Sequence, residues 1–522
     1  MLKRMRSFLV LVMLFITVTM SAQVTTATMS GKVTAQDEPI IGATIVAVHE
    51  PSGTRYGTVT NVSGQFNLQG MRTGGPYKVE ISYVGYQTAI YKGINLSLGE
   101  NYVLNVSLKE SSELLDEIVV TASKNSNMKS DRAGAITNIG EEQMAMIPTV
   151  GRSMNDIMRL TPQGANTGNG FAVGGGNYRQ SSVTVDGAAF SNSFGIGSNL
   201  PGGGSPISLD ALEQIAVSVT PFDKILSAII VRLAINAVTK SGTNDFYATA
   251  YTYLNNENLN GDKVGDLELI REKSQKYLYG ASFGGAIIKN KLFFFVNGEY
   301  EDNVTAGPKS RARLSDSDDW GSNTANVNRP TVGKMDEIRN YFIDKYDYDP
   351  GRYQGYSIKT PAYKIMARLD WNINDNNKLN FRFTRAHSKD NSGPTSSVSP
   401  FYATDIYDGG AAASKGSGNV NHNAAMYFEN SRYFKEYNFT SYASEWNSKW
   451  LDGSLNNVTR VTYSFQDEPR SYEGAADFPT IDILEDGAVY ARIGPDVFSP
   501  GNLAQARTFV LTDELSYTAG IH

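Results

Sequence analysis

The chain has 522 residues, 41% hydrophobic and 19% charged, more than one compact core accommodates, so several domains are expected. Its net charge of −6 comes from lysines and arginines scattered among acids, which excludes the massed basic footprint of a nucleic-acid binder. Cys 0 excludes disulfide scaffolds, thiolate metal sites and lipid attachment at an N-terminal cysteine, while Gly 49, Tyr 29 and Phe 23 make a turn-rich, aromatic β palette.

Residues 1–6 are basic, 8–18 form a short apolar core, and 19–22 are small and polar enough for cleavage before Gln23. The apolar core is too short to span a membrane, so residues 1–22 read as a signal peptide and the mature chain as exported. From 23 to 108, short β-branched runs alternate with Gly, Asn and Asp turns, as in "GKVTAQDEPIIGATIVAVHE" and "YKVEISYVGY". That spacing predicts an antiparallel sandwich of about seven strands. The order G-V…P-I-x-G-A-x-V, T-x-G-x-F, Y-x-V-x-x-x-G-Y resembles the carboxypeptidase regulatory-like domain, a transthyretin-like β-sandwich that is not itself catalytic. His49 has no second ligand at metal spacing and is expected to face solvent from a strand.

Residues 109–130 form a polar linker around one β-prone run, "DEIVVTA". Such a strand pairs either with an exposed sheet edge of another protein or with the sandwich as its last strand. Directly after a regulatory-like sandwich, "LDEIVVTA" resembles the TonB box of Bacteroidota outer-membrane receptors. The resemblance implies that Asp116, Glu117, Ile118, Val119, Val120, Thr121 and Ala122 are the handle for TonB, driven by an ExbB/ExbD-type motor.

Between 131 and 244, Ile147, Val150, Met154, Ile157, Met158 and Leu160 recur near helical spacing and predict a short helix ending at Thr161-Pro162. "SVTVDGAAF" predicts a strand entering a turn at Asp186-Gly187. "GGGNYRQ" lacks the Gly-Lys-Ser/Thr ending of a phosphate loop. "LDALEQIAVSVTPFD" and "INAVTKSGTNDF" resemble the closing segments of the α+β plug domain of TonB receptors, in which Arg179 and Asp186 are structural. Tyr178, Phe190 and Phe194 are then expected in solute-facing loops. "KILSAIIVRLA", 224–234, departs from the polar, glycine-rich segment usual there; it reads either as a buried strand or as the product of two compensating reading-frame errors.

From 245 to 522 the texture changes to long tyrosine- and phenylalanine-rich segments, about eight of membrane-barrel length. In "KLNFRFTRA", Leu379, Phe381 and Phe383 alternate with Asn380, Arg382 and Thr384, one face for lipid and one for a wet interior. Short returns near Asn290 and at 374–377 contrast with polar excursions at 302–361 and 389–431, the turn asymmetry of a transmembrane antiparallel β-barrel. Eight strands cannot enclose a plug of this size, so further strands are expected beyond 522.

The chain is thus identified as a member of the TonB-dependent receptors, Oar-like or SusC-like. The resemblance implies outer-membrane localisation with the N-terminal domain and TonB box in the periplasm, and import of an extracellular solute such as an oligosaccharide or peptide, with or without a surface lipoprotein lid. No covalent chemistry is expected: His387, His422 and His522 are isolated, and no cofactor is implied. The alternatives are a non-transporting surface protein, for adhesion or assembly, which would not need "DEIVVTA", and a truncated, non-functional receptor.

Overall fold

A computed structural model describes residues 25–110, 118–121, 135–147, 152–219 and 233–517, with shorter omissions inside the last two ranges, the longest being 396–406 and 413–422. The signal segment, Asp116, Glu117, Ala122, Val150, most of the apolar run 224–234, His422 and His522 lie outside the described residues.

The first unit has six main strands: β1 (Ala27–Ala35), β2 (Thr44–His49), β3 (Thr54–Val59), β4 (Gln65–Met71), β5 (Gly74–Ser82) and β6 (Ala89–Leu96). One sheet is built on β1 and β4; the other runs β6-β5-β2-β3. Period-two alternation turns Ile45, Ala47, Leu68, Val79 and Ile81 inward, and among the described residues the resulting core runs from Ala27 to Leu108. The same parity carries His49 inward, which corrects the expectation of a solvent-facing ring. His49 is buried, its Nδ1 lies 2.7 Å from Ser52 Oγ and its ring is tilted on Tyr77.

Burial, with the nearby charge of Arg72 added, pulls the His49 pKa from 6.5 down to about 3. Between those values the unfolded chain binds a proton that the folded sandwich refuses. Its stability therefore falls as pH drops below 6.5, by up to about 1.4 kcal/mol per pH unit, and is fully present above it. Urea midpoints from pulse proteolysis, with cleavage mapped to this unit, are expected to fall between pH 7 and 5, and His49→Gln is expected to flatten that slope.

The fifth strand of the second sheet is β7 (Ile118–Thr121), which adds to β6 in parallel: Ile118 faces Ala89, Val119 faces Ile90, Val120 faces Tyr91 and Thr121 faces Lys92. It covers an edge that would otherwise stand open.

Next comes a mixed sheet: β8 (Ala135–Gly140), the short helices α1 (Glu141–Met146) and α2 (Met154–Met158), then β9 (Ser181–Val185), β10 (Leu212–Val219) and β11 (Leu233–Thr239), in the order β8-β10-β11-β9. Met154, Ile157 and Met158 are buried, as their spacing predicts, whereas Leu160 is exposed. Asp186 (φ +45°) and Gly187 (φ +74°) turn β9 back onto Ala188–Ala189, a left-handed pair that favours Asp-Gly.

Eight long antiparallel strands follow: β12 (Tyr247–Asn256), β13 (Ser274–Ile288), β14 (Leu292–Ala306), β15 (Ala362–Asn374), β16 (Asn377–Ser392), β17 (Tyr433–Trp450), β18 (Leu455–Glu468) and β19 (Ala504–Tyr517). They are the eight expected segments, hydrogen-bonded in chain order into a barrel wall that is not closed. Side chains alternate as read: Arg382, Thr384 and Ala386 are buried, while Phe381 points outward with Ile365, Leu369 and Tyr442. On the outer face Trp371, Leu379 and Trp446 are successive register partners at the short-turn end. Tyr300 and Tyr363 pair eight residues farther along β15, roughly 26 Å away at 3.3 Å per residue. With barrel strands tilted about 35–45°, that is about 20 Å across the membrane, close to the roughly 25 Å apolar band that aromatic girdles flank.

The inner face of the wall closes onto the mixed sheet. Phe295, Met366, Ala386, Phe439 and Ala443 of the wall belong to the same core as Ile157, Phe190, Leu209 and Ile215. Gly242 marks where the chain passes from mixed sheet to barrel: a Cβ there would sit 2.4 Å from the carbonyl oxygens of Gly285 and Phe294, so only glycine fits. The excursions at the other end are not simply polar loops. Helix α3 (Val332–Tyr346) buries Met335, Ile338 and Phe342 against Tyr348, Phe428, Tyr490 and Ile493, forming a separate core above the wall.

Candidate functional site

The mixed sheet is tied to the wall by charge. The Asp186 carboxylate accepts hydrogen bonds from Thr239 N–H (3.0 Å) and Thr239 Oγ1 (2.7 Å), and lies 3.4 Å from both Arg368 Nη1 and Arg382 Nε. Arg368 also donates to Thr239 O (2.8 Å) and pairs with Asp370 (2.8 Å). The anchor sits where the sequence placed a structural Asp-Gly turn, but its arginines come from β15 and β16, too far along the chain for spacing to reveal. A second anchor holds Glu299 of β14 between Lys364 Nζ (2.6 Å), Ser208 Oγ (2.8 Å) and Tyr251 OH (3.0 Å).

At the long-loop end, a polar cavity of about 600 Å³ lies between mixed sheet and wall. The glycine run at 202–204 and Asn155 line one side; Lys276, Glu301, Lys389 and Tyr437 line the other. Lys276 pairs with Glu301 at 3.3 Å, and His387 Nδ1 lies 2.8 Å from Asn438 Oδ1 with its ring stacked on Tyr363. The chemistry available is hydrogen bonding and charge. Among the described residues, no cluster of three or more His, Asp or Glu is placed to hold a metal ion.

The three aromatics expected to face solute do not line this cavity. Phe190 is corrected outright: it is fully buried, edge-on to Phe439 at 4.7 Å and beneath Arg382 at 5.0 Å, because its parity on the returning strand points it into the shared core. Tyr178 is half-buried with Arg179 over its ring, and Phe194 is half-buried with its N–H donating to Asn192 Oδ1. The signal missed was the glycine run at 202–204, whose small residues leave room beside the wall.

A different cavity, of about 80 Å³, lies at the short-turn end, where sandwich, mixed sheet and wall meet; Arg72, Glu213, Arg368 and Asp370 line it. Burial pushes the Glu213 carboxyl above its ordinary range, with the charges of Arg72 and Arg368 opposing that shift.

Residues 28–109 match the carboxypeptidase regulatory-like domain, and residues 238–522, more than half of the chain, match the outer membrane beta barrel domain. The chain belongs to the outer membrane beta barrel family. A curated relative is the TonB-dependent transporter Oar of Myxococcus xanthus, 23% identical over 353 residues, which covers 62% of this chain and 30% of the relative. Among solved structures, the outer-membrane transporter YddB of Escherichia coli is similar at 10% identity and a TM-score of 0.47, covering 73% of this chain and 45% of that one. The siderophore receptor PirA of Acinetobacter baumannii gives 14% identity and a TM-score of 0.38, over 72% and 44%. The chain spans less than half the length of each of these relatives. A regulatory-like domain, an outer-membrane barrel and a TonB-dependent relative in one chain support a TonB-dependent receptor of the outer membrane. The relatives are receptors and transporters rather than enzymes.

Proposed function

We propose that the chain serves a TonB-dependent receptor that takes a solute from the long-loop side and imports it with energy relayed by TonB. Residues 116–122 are the handle, and the sandwich, the handle and the short turns face the periplasm. The observation that carries this reading is the pairing of a mixed sheet inside a lipid-faced wall with an edge strand, Ile118–Thr121, of four paired residues among those described. The outermost strand of a sheet, paired on one side, is available to a partner's sheet edge. The cavity's paired charges and hydrogen-bonding side chains suit a polar solute of the oligosaccharide or peptide kind.

Removing residues 116–122 is expected to leave the amount of receptor in the outer membrane unchanged while abolishing its capture by immobilised TonB periplasmic domain and uptake of labelled peptide or oligosaccharide by cells. Capture that survives the deletion rejects the handle. Surface adhesion that persists while wild-type cells take up nothing favours a non-transporting surface protein.

A further inference from the structure

The regulatory-like sandwich is seated across the short-turn end of the wall. Asn244 N–H donates to Pro51 O (2.8 Å), Asn372 Nδ2 to Thr54 Oγ1 (2.9 Å), Lys378 Nζ to Arg55 O (3.1 Å) and Ser516 Oγ to Gln69 Oε1 (2.6 Å). Tyr56 sits beneath Lys378 and Lys449, with Nζ atoms 3.4 and 5.2 Å from the ring centre. Among the described residues an apolar anchor reaches the mixed sheet: Leu98, fully buried, packs on Ala216 and Val238. Beside it Gln214 of β10 makes a two-way link, accepting from Leu98 N–H at 2.8 Å and donating to Leu96 O at 3.3 Å.

Two kinds of attachment are therefore present. The mixed sheet shares its core with the wall, so moving it breaks apolar packing. The sandwich has a core of its own and touches the rest through hydrogen bonds, ring–cation contacts and Leu98, so it can leave without unfolding. Its edge strand is β7, laid on β6, and β6 ends at Leu96, one of the two residues linked to Gln214.

We propose that the sandwich is a removable seal over the short-turn end, latched to the mixed sheet by Leu98 and Gln214, and that tension on Ile118–Thr121 unseats it. This inference rests on residues 116–122 being the TonB handle. Tension enters at the strand laid on β6, and the contact at the far end of β6 is the Leu98–Gln214 latch. The latch and the polar rim open first, which uncovers the underside of the mixed sheet.

Residues 1–522 contain Cys 0, so a thiol introduced among them, with its label located by peptide mapping, reports one place. Leu98→Cys, and Thr54→Cys at the rim as a second reporter should the first fail to fold, are treated with N-ethylmaleimide in whole cells. Labelling is expected to be at least about fivefold faster in respiring cells than in cells given a protonophore, with no difference once residues 116–122 are deleted. Equal rates with and without protonophore at both positions, in a receptor that TonB periplasmic domain still captures through residues 116–122, overturn the seal and leave the handle standing. Absence of capture overturns the handle, and the seal with it.

Discussion

Asp186→Ala is expected to cost the receptor its properly seated mixed sheet. The carboxylate is buried and answers two arginines that are themselves shielded from water, Arg368 at 3.4 Å and Arg382 at 3.4 Å. Removing the carboxylate takes the buried counter-charge from Arg382, while Arg368 keeps Asp370 at 2.8 Å, a loss of roughly 3 to 5 kcal/mol. Thr239 loses the acceptor for both its N–H and its hydroxyl in the same step. Alanine also fits poorly at the φ of +45° that Asp186 adopts, so Asp186→Asn is the cleaner variant: it keeps the turn preference and removes only the charge. Both variants should show trypsin cutting between 135 and 239 in outer-membrane fractions, where the parent resists. Adding Arg382→Met to Asp186→Asn should recover part of that resistance, since it withdraws one orphaned cation. Parent-like resistance in Asp186→Asn would mean that the carboxylate's charge does not hold the sheet to the wall.

How much of this was legible in the chain depended on how far apart the interacting residues lie. Barrel strands were readable because each needs only its own period-two pattern, and short returns such as the one at Asn290 set the next strand's register locally. The Met154, Ile157, Met158 stripe and the Asp186-Gly187 turn were readable for the same reason. His49 was readable too, from parity: counting by twos from Ile45 puts it inside, and the absence of metal spacing was the wrong cue for its exposure. The partner of Ile118–Thr121 was undecided from sequence, because the edge of Ala89–Lys92 that it covers looks like any other strand edge. Phe190 was misplaced since its burial depends on Phe439 and Arg382, more than 190 residues away. Helix α3 was missed inside a stretch that is polar on average. Its stripe of Met335, Ile338 and Phe342 has helical spacing, but the surface that receives it comes from Tyr490 and Ile493.

Leu369→Arg tests the lipid-facing assignment most directly. Leu369 is outward-facing on β15, 44% exposed, with register partners Phe294 and Phe381 on either side. It lies inside the apolar band but nearer its short-turn edge, two residues and about 7 Å along the strand from the Trp371 level and six residues from that of Tyr300 and Tyr363. An arginine near the middle of such a band costs about 2 to 4 kcal/mol, falling toward zero at its edges. Folding of the full-length receptor into phospholipid vesicles, titrated with guanidinium, should show a loss between those limits for Leu369→Arg, about 1 to 2 kcal/mol. Leu451→Arg, at the exposed short turn after Trp450, should be close to neutral. The contrast between the two positions carries the test, because both place the same charge on the outer surface at different depths. Equal stability of the two variants would mean that the outer face of β15 does not meet hydrocarbon, and the alternation that orients Arg382 and Asp186 toward each other would then need another cause.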